Sequence, residues 1–313
     1  MIEHTLEGIL GYRADMRHCR QLLRHGSRSF YMASLLLPGY YRAPITALYA
    51  FCRVADDEID QNQEHEIALE RLKTRLSQVY AGTPGDDPVD RALANAVERF
   101  DIPMALPAAL LEGFEWDVVG RRYQSLSDLY AYAARVAGTV GAMSAKLMGT
   151  RDPEVMARAC DLGVAMQLTN IARDVGEDAR AGRVYLPIDW LAEAGIDTEQ
   201  WLSAPSFTPA LADLIKRLLQ AADTLYERSV SGIACLPLGC RPGIYAARSI
   251  YREIGAELDR RGLDAISQRT VVSHSRKLQL LTAAYLRSLR QGSLDRTPPL
   301  EETRFLVEAV ASA

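Results

Sequence analysis

Gln167, Asn170, Asp174 and Asp178 stand three, four and four residues apart, a spacing that stacks all four on one face of a helix with 3.6 residues per turn. Their neighbours Leu162, Val164, Ala165, Met166, Leu168, Ile171, Ala172 and Val175 are apolar and predict that most of this helix is buried. An ionised carboxylate removed from water costs several kcal/mol unless positive charge meets it, so a cation is expected on that face. Tyr49, Arg53, Asp56 and Asp60 repeat the device, four, three and four residues apart, in a helix otherwise built from Ile45, Leu48, Phe51, Cys52, Val54 and Ile59. Two such stripes predict two walls of one cavity. Asp56 and Asp60 on one wall, with Asn170, Asp174 and Asp178 on the other, offer the hard oxygen ligands that Mg²⁺ prefers. Because Mg²⁺ takes one or two carboxylates and completes its octahedron with water and phosphate oxygens, the pattern predicts a diphosphate substrate, with Arg53 and Arg173 on the side away from the metal.

Either stripe alone would be weak, since an Asp-x-x-x-Asp on a solvated helix is common. Together, in apolar helices that each carry an arginine, they are stronger. A di-iron carboxylate bundle is the natural competitor, but it needs Glu-x-x-His on two helices, and none of the five histidines has a glutamate three residues before it.

The elements that must position these residues read as helices. The chain has 313 residues, 48% hydrophobic but only 7% aromatic, a balance that fits an all-α protein better than a sheet protein. A formal charge of -4 gives no bulk attraction to nucleic acid. Five cysteines, an odd number without a CxxC pair, point to a reducing compartment, and a cytoplasmic protein is expected. The N-terminus carries Glu3, Glu7, Arg13, Asp15 and Arg17 and lacks the apolar core of a signal peptide. The run from Ser29 to Tyr41, broken by Pro38 and Gly39, is too short to span a bilayer. It suits either core packing or a peripheral membrane contact.

Periodicity predicts helices over 4–25, 64–80, 88–100, 107–119, 127–148, 209–236, 242–262 and 273–289, besides the two striped ones, with a loop at 81–88. The segment from His25 to Phe30 suits an anion-binding turn and equally an ordinary connection with Ser27 as N-cap. Gly138 and Gly141 cost about 1 kcal/mol each inside a helix relative to alanine, so they serve either close helix packing or room for a ligand. The run 179–187, broken by Gly182 and Pro187, could cover the cavity as a lid. One helical domain over residues 1–290 and a loose tail over 291–313 are expected.

Ser29-Phe30, Leu37-Pro38, Ala47 to Arg53, Asp56 to Asp60, Val136 to Gly141, Gln167 to Asp178 and Arg183 to Pro187 closely resemble, in the same order, the squalene and phytoene synthase family, best its bacterial phytoene synthase branch. The resemblance implies a single all-α isoprenoid-synthase domain, a helical bundle around a central cavity, that joins two prenyl diphosphates head to head through a cyclopropylcarbinyl diphosphate. Carried over position by position, it implies metal ligation by Asp56, Asp60, Asn170, Asp174 and Asp178, with Mg²⁺ as cofactor and Mn²⁺ as its substitute. It places Ser27, Arg28, Ser29, Arg53, Arg173 and Arg269 on the diphosphates and Gln167 beside the metal cluster. Tyr49, Tyr132 and Tyr185 fall near the reacting carbons, and Tyr251 near a diphosphate.

The chemistry agrees, because ionising an allylic diphosphate leaves a carbocation that needs apolar or aromatic walls and a departing anion that needs Mg²⁺ and arginine. Phe30, Tyr49 and the Val136 to Gly141 helix suit the first need. Phe30 and Ser34 lie one helical turn apart, and the small Ser34 leaves room for long chains. That favours C20 geranylgeranyl diphosphate and phytoene over a C30 product from farnesyl diphosphate. No dinucleotide fingerprint is present, so no nicotinamide cofactor is expected. A non-enzymatic helical assembly factor would carry eroded metal motifs, whereas all five proposed ligands are present.

Overall fold

A computed structural model describes residues 2–61, 64–290 and 292–312, apart from the side chains of 2–9, 60 and 61. Among these residues every regular element is helical. The first half consists of α1 (Ile2–Gly26), α2 (Arg28–Ser34), α3 (Gly39–Gln61), α4 (His65–Tyr80), α5 (Pro88–Phe100) and α6 (Ala105–Val118). Next, α7 (Leu126–Ala133) runs through one π turn (Ala134–Gly138) into α8 (Thr139–Leu147), and α9 (Pro153–Arg180) follows. The short α10 (Ile188–Glu193) and α11 (Thr198–Ser203) lead to α12 (Pro209–Cys235), α13 (Arg241–Arg260), α14 (His274–Ser288) and α15 (Arg304–Ala311). The expected helices are all present, with boundaries shifted by a residue or two. The expected helix over 127–148 is the run from α7 to α8, interrupted by the π turn.

Many starts follow from local chemistry. Asp87, Asp152 and Thr208 cap α5, α9 and α12, each followed by a proline at the first helical position, where its missing N–H costs nothing. The central helix is α9, whose Val164, Ala165, Leu168 and Ala172 are fully buried. Its neighbours approach unusually closely. A Cβ on Gly163 would lie 2.2 Å from the Ala137 carbonyl oxygen, and one on Gly141 would lie 2.2 Å from that of Ala159. Packing of α9 against the π turn and α8 therefore explains Gly141, while Gly138 faces Leu306 of α15 at 3.2 Å. Arg42 ties α2 to α3 by donating to the carbonyls of Ser34, Leu35 and Leu37 at 3.1, 2.8 and 2.6 Å. The carbonyls at the end of a helix lack intrahelical donors, and Arg42 supplies them beside the Leu37 N–H that already reaches Ser34.

The residues beyond 290 differ from the loose tail expected for them. Arg158, fully buried, donates to the carbonyls of Asp295 and Thr297 and pairs with Asp161 and Asp295. Arg228 adds Asp161 and the Pro298 carbonyl. Although burial raises Asp161 to about 6 against the pull of both arginines, the network pins the extended segment so that α15 buries Leu306, Val307 and Val310. A Pro-Pro punctuation signal cannot reveal anchors supplied from 137 and 70 residues away.

Two glycine substitutions test the packing. Gly163→Ala should lower unfolding free energy by about 1–3 kcal/mol because backbone must shift, whereas Gly11→Ala, with nothing within 4 Å of the new carbon, should raise it by up to about 1 kcal/mol. Urea unfolding measures both, and a neutral Gly163→Ala would contradict the close contact.

Candidate active site

The two acidic stripes face one another. Asp56 of α3 and Asn170, Asp174 and Asp178 of α9 line a single polar cavity of about 180 Å³, together with Phe114, Asp117, Tyr132, Gln167, Arg183 and Tyr185. Asp60 lies on the same helix, but its side chain falls outside the described residues. Gln167 and Asn170 also line a second, mostly apolar cavity that runs between α2, α3, the π turn, α8, α9 and α13. Its walls include Phe30, Ser34, Tyr49, Val136, Val140, Leu162, Met166 and Tyr251. A polar mouth thus opens into an apolar tunnel, with the two shared side chains at the junction.

The carboxylates are met by arginines. Arg53 bonds Asp57 and reaches Asp56 at 3.2 Å. Asp174 is held by Arg173 and, at 2.9 and 3.2 Å, by Arg269. Arg269 arrives there because its loop is fastened to α9. The Gly176 N–H donates to the Ala265 carbonyl at 3.2 Å, Arg180 binds the Ile266 carbonyl, and a Cβ at Gly176 would lie 2.5 Å from Ala265 oxygen. Among the described residues no three acidic, histidine or cysteine side chains gather closely enough to form a metal cage by themselves. The donor set instead fits ions that a bound diphosphate would bridge to each wall, since Mg²⁺ takes few protein carboxylates.

Asp178 shows that positive charge is still wanting. Burial raises its pKa to about 7, reinforced by Asp174 and Asp117 and only partly opposed by Arg183.

Aromatic side chains frame the junction. Tyr49 stacks on Phe30 with centroids 5.4 Å apart, and its ring presses against Gly26, where a Cβ would lie 2.6 Å from the hydroxyl. Tyr132 and Tyr185 stack at 5.2 Å, and their hydroxyls donate to Asp117 at 2.8 and 2.7 Å. Burial, then Asp117, raises both phenols, so they stay protonated. Asp117 itself is pushed up to about 6 by burial despite both hydrogen bonds. The segment expected as a lid packs in place. Val184 and Leu186 are buried, and the Ile188 N–H donates to the Tyr123 carbonyl, which turns Arg183 and Tyr185 to the cavity.

Other expected residues lie elsewhere. Ser27 caps α2 by accepting from the Phe30 N–H at 3.1 Å, as the ordinary-connection reading has it. Arg28 is exposed and Ser29 half-buried, and none of the three lines either cavity. Ser34 is buried beside Phe30, its hydroxyl donating to the Tyr31 carbonyl. The sequence reading missed Asp117, Asp57 and Tyr123. Asp117 belongs to no stripe, and its partners come from 15 and 68 residues away, so spacing carries no signal for it.

A family model for squalene/phytoene synthase matches residues 23–276. The chain belongs to the squalene/phytoene synthase family. Within the family it is 50% identical over 315 residues to the phytoene synthase of Cereibacter sphaeroides, covering 96% of this chain and 89% of that protein. The phytoene synthase of Rhodobacter capsulatus is 49% identical over 306 residues, covering 95% and 90%. Among solved structures, a dehydrosqualene synthase in complex with ligand superposes with a TM-score of 0.80 at 35% identity, over 88% of this chain and 98% of that one. The family membership and the isoprenoid-synthase fold anticipated from the motifs both hold.

Asp117 and Asp178 bind a proton more readily in the folded than in the unfolded chain. The stabilisation this brings is complete below the unfolded carboxylate pKa of about 4 and is lost as pH rises through about 6 and 7. In metal-free buffer, Asp178→Asn should therefore raise the melting temperature at pH 8 and flatten its fall between about pH 5 and 8. An unchanged profile would show that Asp178 ionises normally.

Proposed function

We propose that this protein joins two geranylgeranyl diphosphates head to head, through a cyclopropylcarbinyl diphosphate, to give phytoene for carotenoid biosynthesis. The observation that carries the reading is the polar cavity, lined by carboxylates from α3 and α9, opening at Gln167 and Asn170 into an apolar tunnel. The names of the 50% and 49% identical relatives support it.

In this reading Asp56 and Asp60 would hold Mg²⁺ from one wall, and Asn170, Asp174 and Asp178 would hold it from the other, with Mn²⁺ as a substitute. A divalent cation held by these side chains would supply the positive charge that a departing diphosphate needs. Arg53, Arg173 and Arg269 already stand at the cavity carboxylates, and exchange part of that pairing for diphosphate oxygens. Ser27, Arg28 and Ser29, at the start of α2, and Tyr251, from α13, would reach the diphosphates. The mostly apolar tunnel offers a carbocation chiefly hydrocarbon and ring faces, among them Val136, Val140, Leu162 and Met166. Phe30 and Tyr49 provide stacked rings in the tunnel, while Tyr132 and Tyr185 line the polar cavity with their hydroxyls turned to Asp117. A phenol held protonated is a poor nucleophile, so these rings can stabilise positive charge without capturing it. The non-reductive end point requires loss of a proton and no hydride, hence no nicotinamide cofactor.

No described helix is long and apolar enough to cross a membrane. A peripheral contact of a cytoplasmic protein suits the greasy substrate and product. Within the Ser29 to Tyr41 stretch, Leu37 is core, but Leu35 and Tyr40 are exposed, and Gly239, next to exposed Leu238, lies against Pro38.

Purified protein supplied with Mg²⁺ and geranylgeranyl diphosphate should yield phytoene by chromatography, lose the activity on chelation and regain it when Mg²⁺ is restored. A clear preference for farnesyl diphosphate, giving a C30 product, would overturn the chain length. Asp174→Ala should lower turnover by at least about a hundredfold with unchanged helicity by circular dichroism, and near-normal activity would refute the ligand assignment.

A further inference from the structure

Away from the cleft, α12, α13 and α14 flank a separate, open polar cavity of about 510 Å³. Its charged lining is Lys216, Asp223, Arg248, Arg252, Glu253, Asp259 and Arg287. Two of the three carboxylates are already engaged. Asp223 is bound by Arg252 at 2.9 Å, while Glu253 is held by Arg276 at 2.9 and 3.0 Å and by Arg260 at 2.7 Å. Asp259 is exposed.

The cations are less well served. Arg248 is only 2% exposed, and its Nε donates to the Tyr226 carbonyl at 2.9 Å, but its Nη2 makes no hydrogen bond. The nearest carboxylate oxygen, from Glu227, stands 3.4 Å away and is already bound by Arg252. Among the described residues neither Lys216 nor Arg287 has a carboxylate partner. Burial, with repulsion from Arg252 and Arg287, holds the Arg248 pKa below the usual arginine value. A buried guanidinium with an unused donor is costly, and Arg252 and Arg287 beside it add repulsion that a bound anion would remove, while Lys216 lines the same cavity.

We propose that this cavity is an oxyanion site, separate from the substrate cleft, in which Arg248, Arg287 and Lys216 hold a phosphoryl group. Guanidinium forks match the oxygens of such a group, and charge-assisted bonds of this kind are the strong ones. The ligand is either a soluble phosphate, including the inorganic diphosphate that the proposed reaction would release, or the headgroup of an anionic phospholipid. The site backs onto the catalytic helix, since Thr169, the residue before Asn170, lines the same cavity and its hydroxyl lies 3.0 Å from that of Tyr226.

Equilibrium dialysis of the whole protein with radiolabelled inorganic phosphate, in metal-free buffer at constant ionic strength, tests the site without calling on catalysis. A parallel arm measures co-sedimentation with phosphatidylglycerol vesicles against phosphatidylcholine vesicles. Lys216 and Arg287 are both exposed, so the double variant Lys216→Ala with Arg287→Ala should fold, as circular dichroism will check. Saturable phosphate binding that survives Arg53→Ala but weakens at least about tenfold in the double variant supports a soluble ligand. Vesicle binding lost in the double variant, without free phosphate binding, assigns the headgroup. The proposal is overturned if the wild type binds in neither arm, if the double variant binds as well as wild type, or if Arg53→Ala alone abolishes binding. The last outcome would place the anion in the substrate cleft and leave the reading of that cleft intact.

Discussion

Like charges brought together in a partly buried space repel one another, and the walls of the polar cavity bring together four carboxylates, Asp56, Asp117, Asp174 and Asp178. Fixed positive charge from Arg53, Arg173 and Arg269 meets two of them. Asp117 and Asp178 are left with pKa values raised to about 6 and about 7. An ordinary core would not retain such a conflict, because a desolvated carboxylate is among the costliest groups a fold can carry. It makes physical sense where positive charge arrives with a ligand, and a diphosphate bridged to the walls by divalent cations brings that charge and uses the arginines as well.

Much of the fold serves to hold this conflict in place. Backbone contact at Gly141 and Gly163 locks α9 against the π turn and α8, which sets the tunnel wall opposite α3. The loop after α13 is fastened at Gly176 and Arg180 and so delivers Arg269 to Asp174. Arg42 fixes α2 on α3 so that Phe30 stacks on Tyr49. Even the distant ion network of Arg158, Asp161 and Arg228 contributes, because it pins the segment before α15, whose Leu306 packs against Gly138 at the end of the π turn.

The parts legible in the sequence were those with a local period. Four-residue spacing put Asp56 on one face and Asn170, Asp174 and Asp178 on another, and apolar neighbours marked both helices as buried. That was enough to anticipate that the stripes meet. Features that depend on chain segments far apart were not legible. Asp117 has no spaced partner, yet it joins Tyr132 and Tyr185. Residues 291–313 read as a tail because their anchors, Arg158 and Arg228, lie in other helices. Ser27 has the right chemistry for both an anion and a cap, and its 3.1 Å bond with the Phe30 N–H establishes the cap, which spacing alone does not reveal.

The central claim, that α3 and α9 act together on one metal-bridged diphosphate, is tested most directly by a double-mutant cycle on Asp56 and Asp174, read by calorimetric binding of inorganic diphosphate in the presence of Mg²⁺. The account predicts Mg²⁺-dependent binding and a coupling energy of at least about 1 kcal/mol, each single alanine variant losing nearly what the double loses. Binding that ignores Mg²⁺, or losses that add to within about 0.5 kcal/mol, would show that the two walls do not share a ligand.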